Sequence, residues 1–220
     1  MNLYSLTVSA KEIAAGRPAV TPESLARLGR AHAVFDKMRR PPYNIHIPEI
    51  DPPEVKIDEV DGQEKIFVKM DKIIGVPLKE ALRKPDERVV EETTEFVNRT
   101  SLFMADMAQN HEDIPYDFSL ENCRYGRKEG EIGDRVYFID TEPLVARYEG
   151  PDADPSSGEN LGFMNGVKVL AQTFRDIAAV APGVTTRIGF QRIREFVDGI
   201  PAGSPLDSMK QRVVESLPSS

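Results

Sequence analysis

The chain has one cysteine, Cys123, in 220 residues. That excludes an intrachain disulfide and a cysteine-based zinc site. It has three histidines, His32, His46 and His111. No spacing joins them into a metal site, and none fits H-E-x-x-H. Positive charge is also short, with 28 Lys and Arg against 36 Asp and Glu, a net charge of −8 and a pI near 5.1. This argues against non-specific nucleic-acid binding, which needs a basic excess. A small local patch remains at Arg124, Arg127 and Lys128. No apolar run approaches the length of a membrane span. The start, "MNLYSLTVSAKEIAAG", lacks the basic stretch and long apolar core of a signal peptide. The expectation is a cytoplasmic protein with no membrane and no nucleic acid as partner. There is no internal repeat, no low-complexity tract and no G-x-G-x-x-G.

What is present is enough apolar residue for a real core, 40% of the chain. "VTPESLARLGRAHAVFDKM" predicts a helix with Thr21 as N-cap, Pro22 at the first position and Leu25, Leu28, Phe35 and Met38 at helical spacing. The proline-rich "RRPPYNIHIPEIDPP" must end it. "EVKIDEV" and "KIFVKMDKI" alternate around a "DG" turn signal and predict a hairpin. "IGVPLKEAL" reads as a turn into a short helix. Residues 86 to 110 predict a long amphipathic helix with Val89, Phe96, Phe103 and Met107 on one face. "NCRYG" and "RVYFID" predict a second hairpin around "RKEGEIGD". After the loop "PDADPSSGEN" the chain reads as helical, in three apolar stripes. Segregated hairpins and helices give an α+β fold. The lobe boundary falls near residues 71 to 78, so the expected units are 1–73 and 74–220.

The stretch "IPYDFSLENCRYG" carries Asp117, four residues, then Asn122. Asp140 ends the strand whose hairpin partner begins just after Asn122. Strand pairing therefore brings Asn122 and Asp140 to one end of the hairpin. A carboxylate and an amide oxygen are hard ligands that suit Mg²⁺, which takes few protein ligands besides waters and phosphates. Asp117 stands nearby as a carboxylate able to accept or orient a hydroxyl proton. As plain turn formers, Asp117 and Asn122 would need no catalysis at all.

"YDFSLEN" resembles the catalytic loop of protein kinases, and "FID" resembles the strand that delivers their second metal-binding Asp. "EKIFVKMDKIIGVPLKEAL" resembles the strand, hinge and short helix of the same superfamily. The "G-x-P-L" hinge and the "ID-x-x-P-L" pattern of "IDTEPLV" are similar to the aminoglycoside phosphotransferase branch. The resemblance covers roughly residues 20 to 180. It implies a protein-kinase-like fold with a reduced N-terminal lobe (helix plus β-hairpin) and a mainly helical C-terminal lobe. It implies ATP and Mg²⁺ as cofactors, Asp117 as base, and Asn122 and Asp140 as metal ligands. The backbone around Lys69, Met70, Asp71 and Ile73 would meet the adenine ring. The acceptor would be a hydroxyl on a small molecule or a protein.

Two departures stand against it. Pro115 and Tyr116 precede Asp117 where the family usually has His and Arg. Only about twenty residues precede the first helix, too few for three strands and their turns. "LTVSAKEI" reads as one surviving strand, with Lys11 as the phosphate-gripping Lys and Glu23 as its partner; alternatively both are ordinary surface residues, Glu23 favoured by the helix dipole. The chain is therefore an ATP-dependent phosphotransferase with an unusual nucleotide clamp, or an inactive pseudokinase-like binding or scaffold protein. A third reading has a partner chain complete the truncated lobe.

Overall fold

The computed structural model describes residues 2–5, 20–52, 54–57, 64–140, 144–184 and 187–218. Among them are eight strands and six α-helices. Strand β1 is Asn2–Ser5, and helix α1 is Pro22–Arg39. Strands β2 (Glu54–Ile57), β3 (Glu64–Met70) and β4 (Ile73–Pro77) follow. Next come α2 (Leu78–Ala81) and the long α3 (Glu87–Gln109). Strand β5 (Asp113–Pro115) leads into a 3₁₀ turn at Leu120–Asn122, then the hairpin strands β6 (Cys123–Lys128) and β7 (Arg135–Phe138). Strand β8 (Val145–Arg147) precedes α4 (Gly158–Val180), α5 (Arg187–Asp198) and α6 (Asp207–Ser216).

The helix starts follow their caps. Thr21 Oγ1 accepts the Ser24 amide at 3.0 Å and Ser24 Oγ accepts the Thr21 amide at 3.0 Å, with Pro22 supplying the fixed φ of the first turn. Asp86 accepts the Val89 amide at 2.8 Å to open α3. The apolar stripe of α3, including Val89, Phe96, Phe103 and Met107, is buried.

Three sheets result, ordered β1–β3–β2, β4–β6–β7 and β5–β8, with every pairing antiparallel. The β2–β3 hairpin matches its sequence pattern, while its turn lies outside the described residues. The expected strand through Ile73 ends at Met70, and Ile73–Pro77 is a separate strand where residues 74 to 77 read as a turn. The reason is steric. Gly75 faces Gly126 across the β4–β6 pair, and a Cβ on Gly75 would stand 2.1 Å from the Tyr125 carbonyl oxygen. Two facing glycines let the backbones approach, so residues that usually break a strand here permit one. The β5–β8 pair joins two three-residue strands, too short for periodicity to reveal.

One large core runs through the helices and the β6–β7 hairpin. Phe35 of α1, Phe138 of β7 and Phe118 of the loop before β6 are all fully buried. Their rings stack in sequence, with centroids 6.1 Å apart for Phe35–Phe138 and 5.5 Å for Phe118–Phe138. Burying each such side chain is worth roughly 1.5–3 kcal/mol. This column ties α1 to the loop that carries Asp117. Tyr43 Oη to Asp106 Oδ2 (3.2 Å), the Lys37–Glu112 ion pair and the Phe138 amide to His46 carbonyl bond (3.0 Å) reinforce it.

Candidate functional site

The loop from Tyr116 to Asn122 is fixed at both ends. Upstream, β5 pairs with β8, and the Tyr116 amide extends that pairing by donating to the Leu144 carbonyl at 2.9 Å. Downstream, the Asn122 amide donates to the Ser119 carbonyl at 3.1 Å and closes the 3₁₀ turn. The Ile139 amide then donates to the Asn122 carbonyl at 2.9 Å. That bond continues the β6–β7 register by one residue and sets Asp140 beside Asn122.

The side chains meet as a result. Asn122 Nδ2 donates to the Asp117 carbonyl at 3.1 Å and to Asp140 Oδ2 at 3.2 Å. Both amide protons are thereby committed, which leaves Oδ1 as the acceptor end of Asn122. Asp117 is half-buried. Its negative charge is felt by its neighbours. Burial and then Asp117 push the Cys123 thiol up, so the buried thiol stays neutral and is no nucleophile. Burial first, then the charges of Asp117 and Glu159, raise the Tyr116 hydroxyl, with Arg27 opposing.

Asp140 offers a carboxylate and Asn122 offers Oδ1, both hard-oxygen donors. That donor set fits Mg²⁺, which keeps several waters and binds through one or two protein groups plus phosphate oxygens. Among the described residues no group of three or more His, Cys, Asp or Glu is arranged to hold a metal ion. A closed all-protein metal cage is thus not present among them. Glu142, a neighbouring carboxylate in sequence, lies outside the described residues.

The residues expected to meet the adenine ring, Lys69 to Ile73, form a second group. The Lys69 carbonyl accepts the Asp51 amide at 2.9 Å, and the Asp71 amide donates to the Glu49 carbonyl at 3.0 Å. Met70 is buried, bridged to Ile50 on one side and in register with Asn2 of β1 on the other. The Lys69 side chain faces Glu54, Nζ to Oε1 at 3.5 Å. Asp71 Oδ2 pairs with the Lys128 ammonium at 2.7 Å, and that hydrogen bond raises the Lys128 pKa. Ile73 is buried and pairs with Lys128 in the β4–β6 ladder. These residues are tied to the 49–51 segment and to β6. Lys11 and its "LTVSAKEI" strand lie outside the described residues, and the strand that is described, Asn2–Ser5, contains no Lys or Arg.

A cavity of about 610 Å³ abuts the loop, walled by Leu82, Leu120 and Thr173 and rimmed by Lys79, Glu121 and Asp176. Sequence reasoning missed the packing beneath the loop. Thr173 Oγ1 donates to the Phe118 carbonyl at 3.0 Å, and Gly162 and Gly166 lie under Tyr116. The signal was the spacing of two glycines one turn apart inside an otherwise helical pattern.

No family model matches the chain, and no curated protein matches it. Among solved structures, the chain is similar to the kinase domain of PknI from Mycobacterium tuberculosis, at 17% identity and a TM-score of 0.46, covering 97% of this chain and 84% of that one. A mutant of the same domain gives the same values. A double mutant gives 17% identity and a TM-score of 0.43, with 90% and 81% covered. A likeness this distant decides neither family nor activity, so the functional reading rests on the chain's own side chains.

Proposed function

We propose that the chain is a kinase-like phosphotransferase that moves the γ-phosphate of ATP to a hydroxyl acceptor, on a small molecule or a protein. The observation that carries this reading is the single side chain of Asn122. It bonds at once to the Asp117 backbone and the Asp140 carboxylate, at 3.1 and 3.2 Å. A loop that served only as a turn would not need the third residue, delivered from the end of another strand.

Asp117 accepts the proton of the acceptor hydroxyl, or orients that hydroxyl for attack. Asn122 holds the Asp117 main chain and keeps its own carbonyl oxygen turned to the ligand side. Asp140 supplies the carboxylate that, with Asn122 Oδ1, would hold Mg²⁺. When bound, that ion would neutralise charge on the nucleotide phosphates. Phe118, buried against Phe138, keeps the loop from shifting when charge enters the site. Adenine contacts are assigned to the Lys69–Ile73 backbone and a phosphate contact to Lys11.

A second reading is an inactive kinase-like binding or scaffold protein whose N-terminal sheet meets a partner chain. It is favoured by the hinge, where the Lys69 carbonyl and the Asp71 amide already have partners. The test is transfer of labelled γ-phosphate, together with nucleotide affinity. Asp117→Ala is expected to leave Mg²⁺–ATP affinity intact and to lower transfer by about 10²–10⁴-fold. Transfer at the native rate in Asp117→Ala would remove Asp117 from its role. Nucleotide binding with no transfer in the native chain would favour the second reading.

A further inference from the structure

Asp117 sits between two residues that are both held by helix α4. On one side, the ring of Tyr116 lies over Gly162 and its Cβ and Cα lie over Gly166. A Cβ on Gly162 would stand 2.2 Å from Ala146 Cβ and 3.3 Å from Tyr116 Cε1. A Cβ on Gly166 would stand 2.6 Å from Tyr116 Cβ and 3.1 Å from its Cα. Even alanine at 166 would drive the main chain next to Asp117 out of place. Glycine inside a helix costs roughly 1 kcal/mol relative to alanine. Two of them one turn apart therefore call for a compensating contact, and Tyr116 supplies it at both, together with Ala146 at Gly162.

On the other side, Thr173 Oγ1 donates to the Phe118 carbonyl at 3.0 Å. Thr173 is buried, at 5% exposure, so this bond is shielded from water. Position 173 lies about three turns beyond 162, which returns it to the same face of α4. One helix face thus grips the residue before Asp117 and the residue after it. The atoms of Tyr116 nearest these two glycines are Cε1 and Cδ1 at Gly162, and Cβ and Cα at Gly166.

We propose that this face of α4 positions Asp117, with Gly162 and Gly166 as the seat for Tyr116 and Thr173 as the anchor of Phe118. Tyr116 is a positioning residue that acts through the main chain of Asp117. The proposal rests on the reading of Asp117 as base, but its geometry is testable without turnover. The Asn122 side-chain amide, held by the Asp117 carbonyl, reports where that main chain is.

The experiment follows proton exchange of the Asn122 side-chain amide by NMR in the full chain. Tyr116→Ala and Gly166→Ala are each expected to speed it by at least about tenfold, while amides in the middle of α3 keep their protection. Tyr116→Phe is expected to match the native chain. The double variant is expected to be no worse than Gly166→Ala alone, because both changes disrupt the same seat. If Gly166→Ala does not fold, Tyr116→Ala against Tyr116→Phe carries the comparison. In the transfer assay, Tyr116→Ala is expected to lower kcat by about 10–100-fold at unchanged nucleotide KM. Native exchange at Asn122 in Tyr116→Ala, or an equal loss of protection in α3, would overturn the proposal. A native chain that neither binds nor turns over nucleotide would end the reading of Asp117 as base, while the Asn122 signal would still judge the seat.

Discussion

Among the described residues, the helical region and the β1–β3–β2 sheet gather different amounts of core. The first contains the fully buried Phe35, Phe103, Phe118, Phe138 and Phe163 in one continuous cluster. The second, among the described residues, gathers Leu28, Ile66 and Val68, with Val20, Leu25 and Ile50 packed partly against them. The same division runs through the candidate site. Asp117, Asn122 and Asp140 are fixed by strand register, side-chain hydrogen bonds and buried aromatics. The Lys69–Ile73 segment is held by strand pairing to β1 and β6, by backbone bonds to residues 49–51 and by the Asp71–Lys128 pair. The half that would hold metal and base rests on buried aromatics and side-chain hydrogen bonds, and the half that would meet the nucleotide base rests mainly on backbone pairing.

The sharpest way to break this contrast is to empty each core in turn. Phe138→Ala removes the ring shared by α1 and the loop and is expected to cost about 3–5 kcal/mol of stability by chemical denaturation. A cost below about 1 kcal/mol would mean that the aromatic column does not hold the loop. Val68→Ala, in the centre of β3, is expected to cost about 2 kcal/mol. It should loosen the amides of β3 in hydrogen exchange and spare those of α3. Equal loss in α3 would merge the two regions into one cooperative unit.

The junction between the regions gives the next effect. His46 lies between α1 and β2, and its pKa is lowered to about 4 by burial first, then by the charges of Arg135 and Arg99. The folded chain keeps this imidazole neutral, whereas the unfolded chain protonates it below about 6.5. Its contribution is complete above that pH and is lost as pH falls towards about 4. With the side chain only partly buried, solvent screening reduces the contribution to about 1–2 kcal/mol. Denaturation midpoints should fall across that window in the native chain and fall less in His46→Gln. Identical pH profiles would show that His46 plays no part in the junction's stability. The smallest effect is at the entry to α1. Thr21→Ala is expected to cost about 1 kcal/mol by losing the cap, without touching the Asn122 contacts.

Much of this was legible in the sequence where local chemistry decides the outcome. Thr21–Pro22 and Asp86 mark helix starts, and the alternation in β3 marks a strand, because those signals act within a few residues. Convergence of Asn122 and Asp140 followed from hairpin pairing alone, since register fixes which side chains share an end. Strand β4 was not legible. Gly75 and Pro77 read as a turn, and only the facing Gly126 makes a strand there. The seat beneath Tyr116 was hidden for the same reason, because the effect of a missing side chain depends on its neighbours in space. The commitment of the hinge carbonyl and amide to residues 49–51 is likewise a tertiary fact. The adenine contact assigned to Lys69–Ile73 stands as a proposal to be tested, as does the phosphate role of Lys11.

The most direct test of the central claim is calorimetric titration of the native chain and Asp140→Ala with ATP, each with and without Mg²⁺. The native chain is expected to bind ATP in a Mg²⁺-dependent manner, and Asp140→Ala to lose that dependence along with most of the affinity. ATP binding that is equally strong without Mg²⁺, or unchanged in Asp140→Ala, would contradict the claim.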